Sequence, residues 1–305
     1  MRSVGWTLSK AVGKRTVRLA AMATCRTRGT PTFLLIGAKR GGTTTLYRLL
    51  ESHRSYVPLV PSSRTLPMRE NMKGVHYFDT NYDRSDRWYR SHFPMAASMR
   101  RHALRHGAAF TGDGSPYYLF HPLAAERAAE SVPNAMIIVL LRDPIERTVS
   151  HWAEQTRNGI ETLTLADALA REASRIGDDC ELLTHDRIVR SFAHEHQSYA
   201  SQSEYGSALS RWMAHFQRAR VRVLFSEDLY RDAADTLLNI TDFIGIDPLA
   251  SSEAIRKNAA ARHSELDPEI RAQLIARFTP DARRVAELVG RTPPWPWFTG
   301  SDQCA

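Results

Sequence analysis

Short apolar runs alternate along this chain with helical patterns, and this alternation limits the possible folds more than any other feature. The runs cover residues 31–37, 135–141 and 221–225. Each has the length of a buried strand, and helical patterns follow at about 43–50, from Pro144 onward and at 233–244. Strands separated by helices predict an α/β, three-layer fold with a mostly parallel central sheet flanked by helices. Ligands of such sheets bind at the carboxyl ends of the strands.

The chain has 305 residues, of which 43% are hydrophobic and 24% charged, enough for one large domain, which we place at residues 31–305. Residues 1–30 contain seven Lys or Arg residues and no acidic residue, and predict a basic, poorly ordered leader. The alternative is an amphipathic segment that rests on an anionic membrane. Its apolar stretches are too short and too charged to span a bilayer.

A net charge of +8 and an isoelectric point near 9.6 are typical of a protein with an anionic partner. Nucleic acid, a membrane surface, a phosphorylated cofactor and an acidic glycan all fit. Cys25, Cys180 and Cys304 are odd in number and far apart, so they predict neither a disulfide framework nor a metal site. A reducing, cytoplasmic location follows, with membrane association through residues 1–30 as an addition.

The first strand leads into a glycine-rich loop, Gly37-Ala-Lys-Arg-Gly-Gly-Thr-Thr-Thr-Leu46. Backbone N–H groups and a helix dipole make an anion site in this context, although an ordinary strand-to-helix turn is the alternative. A nucleotide kinase would place a lysine directly after the last glycine, and here that position is Thr43. The cations Lys39 and Arg40 stand before the glycines instead, which suits a single 5'-phosphate.

This loop resembles the 5'-phosphosulfate loop of the sulfotransferases that use 3'-phosphoadenosine 5'-phosphosulfate (PAPS). The resemblance implies a P-loop-like fold, PAPS as sulfuryl donor and no metal. It places Arg40 at the basic catalytic position, where most relatives carry lysine, and Lys39 is a second candidate for that role. The donor's 5' end would be held by Lys39, Arg40, Gly41, Gly42, Thr43, Thr44 and Thr45.

A second motif, Arg142-Asp-Pro-Ile-Glu-Arg-Thr-Val-Ser150, begins where the second strand ends. It resembles the family's 3'-phosphate motif. Ser150 lies about two helical turns beyond Arg142, so both can face one phosphate, with a helix-capping Arg142 as the alternative. The basic stretch 256–262 lies where relatives return a loop to the nucleotide, so Lys257 and Arg262 are further candidates. A solvated helix end explains that stretch equally well.

The acceptor region resembles the heparan-sulfate type of sulfotransferase and its bacterial relatives at residues 72–82 and 87–94. Where those relatives have a catalytic glutamate, this chain has Gly74. If residues 74 and 76 lie on one face of an extended strand, His76 is placed to act as the general base. Asp113, in a Gly-Asp-Gly-Ser-Pro segment, is the second candidate. Structural roles, a packed histidine and an aspartate-capped turn, are the alternatives.

The sequence therefore predicts transfer of a sulfuryl group to a hydroxyl or amine of an acceptor, with a glycan or glycolipid among the candidates. A P-loop nucleotide or small-molecule kinase stays open as one alternative. A basic nucleic-acid-binding protein is the other, although the positive charges are dispersed and no recognition motif is present.

Overall fold

The computed structural model describes residues 16–62, 72–186, 188, 190–249 and 266–299. One four-stranded sheet lies at its centre, in the order β2-β1-β3-β4, and every neighbouring pair is parallel. The strands are β1 (Phe33–Gly37), β2 (Gly112–Asp113), β3 (Met136–Leu141) and β4 (Val221–Phe225).

Helices fill the connections between the strands and follow the last one. In chain order they are α1 (Thr43–Glu51), α2 (Asp86–Arg90), α3 (Ala96–His106), α4 (Ala124–Ser131), α5 (Pro144–Arg157), α6 (Leu165–Ile176), α7 (Asp179–Thr184), α8 (Phe192–His196), α9 (Tyr205–His215), α10 (Ser226–Arg231), α11 (Ala233–Ile244), α12 (Pro268–Val289) and α13 (Pro296–Thr299). Residues 16–23 are also helical. Short 3-10 turns lie at Cys25–Thr27, Ser201–Ser203 and Arg218–Arg220.

Alternate side chains of the strands enter two separate apolar cores. On one face of the sheet, Leu34 and Ile137 pack with buried residues of α4, α9 and α12. On the other face, Phe33 and Ile138 pack with α1 and α11. Because helices cover both faces, the predicted three-layer α/β fold with a parallel central sheet is confirmed.

The strand order reverses direction at β1, because β2 lies on one side of this strand and β3 on the other. In open parallel sheets, the crevice outside the carboxyl ends of the strands at such a switch point is where ligands bind. The loop from Ala38 to Gly42 leaves β1 at this point and leads into α1.

The predicted strands at 31–37, 135–141 and 221–225 and the helices after them are confirmed. Strand β2 was not predicted, because its two residues, Gly112 and Asp113, have little intrinsic preference for a strand. The extended strand assumed around residues 74–76 is wrong. Residues 72–76 have no regular secondary structure, and His76 has a left-handed backbone with φ of 54°. The two-residue period therefore does not apply there.

Part of the predicted leader is attached to the domain. Arg18 donates hydrogen bonds to Ser91 Oγ at 2.9 Å and to the Val60 carbonyl at 2.8 Å. Arg28 donates to the Phe93 carbonyl at 2.6 Å. Residues 1–15 lie outside the described residues, so the division into a leader over 1–30 and a domain over 31–305 stays a prediction.

Candidate active site

Two glycines shape the phosphate loop, residues 38–42. Gly41 has no room for a side chain, and Gly42 has a left-handed backbone. A Cβ on Gly41 would lie 2.7 Å from the Leu140 carbonyl oxygen. Gly42 has φ of 88° and stands at the N-cap of α1, where it offers no side chain to the helix. The first N–H groups of an α-helix have no intrahelical partner, so those of α1 are available to an anion.

Arg40 extends from this loop toward α5. Its Nε donates to Ser150 Oγ at 3.2 Å, and its Nη1 forms an ion pair with Glu154 Oε1 at 2.6 Å. The residue has φ of 68°, a left-handed conformation that is uncommon for arginine. The two sequence motifs thus meet through direct contact of Arg40 with Ser150.

Arg142 approaches the same place from the end of β3. Its Nη1 donates to the Arg40 carbonyl at 3.4 Å, and its Nη2 lies 3.4 Å from Glu146 Oε2. Asp143 accepts hydrogen bonds from the N–H groups of Ile145 and Glu146, which fixes the start of α5 beside this strand end. Arg40, Arg142 and Ser150 therefore converge within one site.

Other charged side chains of the two motifs point elsewhere. Arg147 is fully buried and donates hydrogen bonds to Ser203 Oγ and to the Tyr199 carbonyl. It also donates to the Lys39 carbonyl, so it stabilises the backbone of the phosphate loop. Lys39 Nζ donates to the Glu195 carbonyl at 3.1 Å and lies 3.9 Å from the Glu195 carboxylate. Burial lowers the pKa of Lys39, while Glu195 opposes that shift. Arg40 and Lys39 thus diverge from each other.

His76 forms a pair with the buried carboxylate of Asp79. Its Nδ1 lies 2.9 Å from Asp79 Oδ2, and the imidazole is 36% exposed. Burial lowers the pKa of His76, but the charge and hydrogen bond of Asp79, together with Asp113 and Glu195, outweigh it and raise the pKa above its usual value. No described residue binds the remaining ring nitrogen, Nε2. The arrangement suits an oriented acid or base.

Asp113 is fully buried and its carboxylate is surrounded by donors. It accepts hydrogen bonds from Val75 N at 2.9 Å, Ser115 Oγ at 2.6 Å and Tyr118 Oη at 2.9 Å. Burial raises the pKa of Asp113, and these hydrogen bonds oppose the shift. Ser115 Oγ also accepts from His76 N at 2.9 Å, so Asp113 is linked to the backbone of His76.

Lys73 is one site residue that the sequence motifs did not indicate. Its Nζ donates to Thr43 Oγ1 at 3.1 Å and to Thr44 Oγ1 at 3.2 Å, at the start of α1. The lysine stands next to Gly74 in the acceptor motif, so the signal was present in the sequence. Asp79 and Glu154 were also missed, because only the fold brings them to His76 and Arg40.

The remaining candidates divide in two groups. Thr45 lies in the first turn of α1 with Thr43 and Thr44. Lys257 and Arg262 lie outside the described residues.

Among the residues that the structure does describe, no group of three His, Cys, Asp or Glu side chains is arranged to hold a metal ion.

A glycine-lined anion site at the switch point of a parallel sheet, with two arginines and a serine converging beside it, is typical of proteins that bind phosphorylated nucleotides. A family model described as "Sulfotransferase family" matches residues 31–250. The chain belongs to this family. Membership favours sulfuryl transfer over the kinase and nucleic-acid-binding alternatives.

Similar proteins agree with this assignment. "Membrane-associated sulfotransferase kil1" of Dictyostelium discoideum is 21% identical over 87% of this chain and 66% of its own length. "Heparan sulfate glucosamine 3-O-sulfotransferase 5" of Homo sapiens is 22% identical, over 87% and 74%. "Bifunctional heparan sulfate N-deacetylase/N-sulfotransferase 4" of Mus musculus is 27% identical over 72% of this chain but only 22% of its own length. The chain thus spans between about a fifth and three quarters of these relatives.

The fold also matches a solved structure, a sulfotransferase from Alicyclobacillus acidocaldarius. The TM-score is 0.63 with 24% sequence identity, over 86% of this chain and 97% of the other. The likeness supports the fold.

Proposed function

We propose that this protein is a PAPS-dependent sulfotransferase that transfers a sulfuryl group to a hydroxyl or amine of an acceptor. The observation that carries the proposal is the convergence of Arg40, Arg142 and Ser150 beside the phosphate loop. A donor with both a 5'- and a 3'-phosphate needs two neighbouring anion sites, and the fold brings the two basic motifs together at this point. Family membership provides independent support.

The residues present fit such a donor. The glycine loop and the first turn of α1 offer N–H groups to the 5' end, where a Cβ on Gly41 would close the space. Arg142 and Ser150 would hold the 3'-phosphate, since a guanidinium and a hydroxyl suit its oxygens. The donor supplies an activated sulfuryl group. The role of this chain is to position the reactants and to stabilise negative charge as the group moves.

We assign the general base to His76, with Asp79 as the residue that orients it. The ring nitrogen Nδ1 is held by the Asp79 carboxylate, which leaves Nε2 to accept the acceptor's proton. Asp113 stays the second candidate, although its carboxylate already accepts three hydrogen bonds. Gly74 leaves no space for a glutamate, because its Cβ would lie 2.6 Å from the Gly114 carbonyl oxygen.

A carbohydrate is the acceptor class that we propose, as a free glycan or as a glycolipid. Support comes from the printed names of two relatives, which are heparan sulfate sulfotransferases.

We also propose peripheral contact with an anionic membrane, for a protein that otherwise resides in the cytoplasm. None of the described helices is long and apolar enough to cross a membrane. Helix α3 contains no acidic residue and presents Leu104, which is 89% exposed, between Arg101 and Arg105. Leu19, on the helix at 16–23, is 61% exposed. One relative is named as membrane-associated.

The donor site is tested by nucleotide binding. We expect the protein to bind 3'-phosphoadenosine 5'-phosphate far more tightly than adenosine 5'-phosphate or ATP in calorimetry. Arg142→Ala should cost about 2 to 5 kcal/mol with the 3'-phosphorylated nucleotide, because one partner of a largely buried charged contact is removed. Binding of adenosine 5'-phosphate should change little.

Arg90→Ala is the matched control, since Arg90 is also paired with a carboxylate four residues away, Asp86, but lies outside the site. It should leave both affinities unchanged. Equal affinity of the unmodified protein for nucleotides with and without a 3'-phosphate would contradict the proposal.

A further inference from the structure

A groove lies between the helix at residues 16–23, the start of α3 and the segment at 57–62. It has a volume of about 490 Å³, within the range of about 300 to 1,000 Å³ that is usual for small-molecule sites. Its walls are mostly apolar: Val17, Ala20 and Ala21 come from the helix, and Pro58, Val60 and Met95 come from the other two segments. Of the described residues that line it, only Arg28 is charged. The groove thus combines apolar walls with one cation.

The hydrogen bonds of Arg28 go to neutral partners. Its guanidinium donates to the Ala21 carbonyl at 3.0 Å and to the Phe93 carbonyl at 2.6 Å. It also donates to Thr24 Oγ1 at 3.0 Å. These bonds use one N–H group on each of its three nitrogens, so two of the five N–H groups of Arg28 are left for a ligand.

A second arginine carries an unbalanced charge beside the groove. Arg18 donates to a hydroxyl and to the carbonyl of Val60, which lines the groove. Within the part of the chain that the structure describes, no carboxylate forms an ion pair with Arg18 or with Arg28. Their positive charges are therefore not neutralised by the protein around them.

Burial makes these two charges costly. Burial and, to a smaller degree, the nearby charge of Arg28 lower the pKa of Arg18 to about 10. Burial also lowers the pKa of Arg28. Both side chains stay protonated at neutral pH, so two like charges lie close together in a half-buried region. An anion in the groove would offset their repulsion, and a partly desolvated cation attracts it more strongly than an exposed one.

The groove borders the surface that we propose to face the membrane. Met95, in its lining, directly precedes α3 and is partly exposed, and Leu19 is exposed on the helix at 16–23. Leu104 lies about 13 Å further along α3. Neither helix contains an acidic residue. The groove is therefore continuous with the apolar and basic surface of α3, as expected if one bilayer covers both.

We propose that this groove binds one acyl chain of an anionic phospholipid, with the lipid phosphate against Arg28. The inference goes beyond the membrane contact proposed above and rests on it for the source of the lipid. The apolar walls suit the chain, because covering them removes apolar surface from water. A guanidinium with two unused N–H groups suits a phosphate, whose oxygens accept charge-assisted hydrogen bonds.

The test uses vesicles of phosphatidylcholine and phosphatidylserine, the latter with a diazirine in one acyl chain. After illumination, mass spectrometry of the full chain should locate the label on the groove lining, at residues 16–24 or 94–98. Ala20→Phe places a large side chain in the groove and leaves every charge unchanged. It should lower this labelling about tenfold or more, because keeping apolar surface equal to about two methylene groups exposed costs that factor.

Ala23→Phe is the matched control, since Ala23 is an exposed alanine of the same helix that lies outside the lining. This variant should be labelled like the unmodified protein. Both variants should still sediment with the vesicles, because the arginines of α3 are unchanged. Both should also keep the thermal unfolding midpoint of the unmodified protein, since Ala20 is exposed as well.

Equal labelling of Ala20→Phe and the unmodified protein, or labelling only outside the groove, would overturn the assignment. So would a dimer in native mass spectrometry that Ala20→Phe dissociates, because a second copy of the chain would then be the occupant.

A single-chain lipid separates failure of the groove from failure of the membrane contact. The probe is oleoyl lysophosphatidic acid, at a concentration at which it forms no micelles, and native mass spectrometry detects the complex. A one-to-one complex that Ala20→Phe abolishes and Ala23→Phe keeps, in a protein that does not sediment with vesicles, would contradict only the membrane contact. Sedimentation without labelling of the groove would contradict only the groove.

Discussion

At the scale of single residues, the acceptor side is controlled by two carboxylates with different surroundings. Asp79 meets the imidazole of His76, whereas Asp113 is enclosed by Val75, Ser115 and Tyr118. A carboxylate that already accepts several hydrogen bonds gains little from a further proton, while an imidazole held at Nδ1 has Nε2 left to react. The surroundings therefore favour His76 over Asp113 as the base.

The pH dependence of turnover tests this assignment. His76 accepts a proton only when neutral, so the rate should fall as the pH falls through its raised pKa, above the usual value of about 6.5. His76→Ala should abolish this acid limb and lower turnover about 10²- to 10⁴-fold. Asp79→Asn should move the limb to lower pH, because burial of the imidazole then acts without its counter-charge.

Asp113→Asn serves as the comparison for both variants. If this change abolishes turnover while His76→Ala retains near-normal rates, the base belongs to the Gly-Asp-Gly-Ser-Pro segment. Nucleotide affinity, measured by calorimetry, should be the same in all three variants, since none of the changed side chains touches Arg142 or Ser150.

At the scale of secondary structure, the site depends on how closely the phosphate loop lies against its neighbours. Ser226, at the start of α10, donates hydrogen bonds to the carbonyls of Gly41 and Leu141. This contact joins the loop to the ends of β3 and β4. The anion site is thus a property of three chain segments, and a change in the loop should alter stability as well as binding.

Gly41→Ala should show this coupling. The new Cβ would lie 2.7 Å from the Leu140 carbonyl oxygen and 2.9 Å from that of Ala38, so the backbone must move. We expect a loss of about 1 to 3 kcal/mol in the free energy of unfolding, measured with urea, together with weaker nucleotide binding. At Gly29 the nearest atoms would be 3.7 Å away, so Gly29→Ala is the matched control and should be close to neutral. Unchanged binding in Gly41→Ala would mean that the loop does not approach the nucleotide closely.

At the scale of the whole molecule, the basic helix α3 and the phosphate loop lie toward opposite ends of α1. The loop precedes Thr43, whereas His102 of α3 contacts the Arg54 carbonyl at 2.8 Å, just beyond Glu51. The nine residues of α1 separate the two places by about 13 Å. A membrane bound at α3 would therefore leave the carboxyl end of the sheet accessible from the aqueous side.

Vesicle binding tests this orientation. We expect the protein to sediment with vesicles that contain phosphatidylserine and to remain in solution with phosphatidylcholine alone, because arginines near an anionic surface each contribute about 1 kcal/mol. Replacing Arg100, Arg101 and Arg105 by Gln together should reduce binding strongly, and Leu104→Ala more weakly. The matched triple change Arg171→Gln, Arg218→Gln and Arg220→Gln, away from α3, should have little effect. Equal binding to both vesicle types would contradict the proposal.

The sequence by itself determined the parallel sheet and the positions of the glycine-rich loop and of the Arg-Asp-Pro motif at the ends of its strands. These features depend on local patterns: apolar runs such as 135–141, glycines that close a turn, and a proline at the start of α5. The positions of Arg40, Arg142 and Ser150 at one site followed, because the carboxyl ends of parallel strands share one edge of a sheet.

Only the tertiary structure decided what each charged side chain touches. The assumed strand at residues 74–76 failed because packing of Gly74 against Gly114, rather than backbone preference, sets the conformation there. The same packing sends Lys73 to Thr43, and the fold brings Glu154 to Arg40. Contacts between residues distant in sequence depend on the shape of the folded chain, which no local pattern encodes.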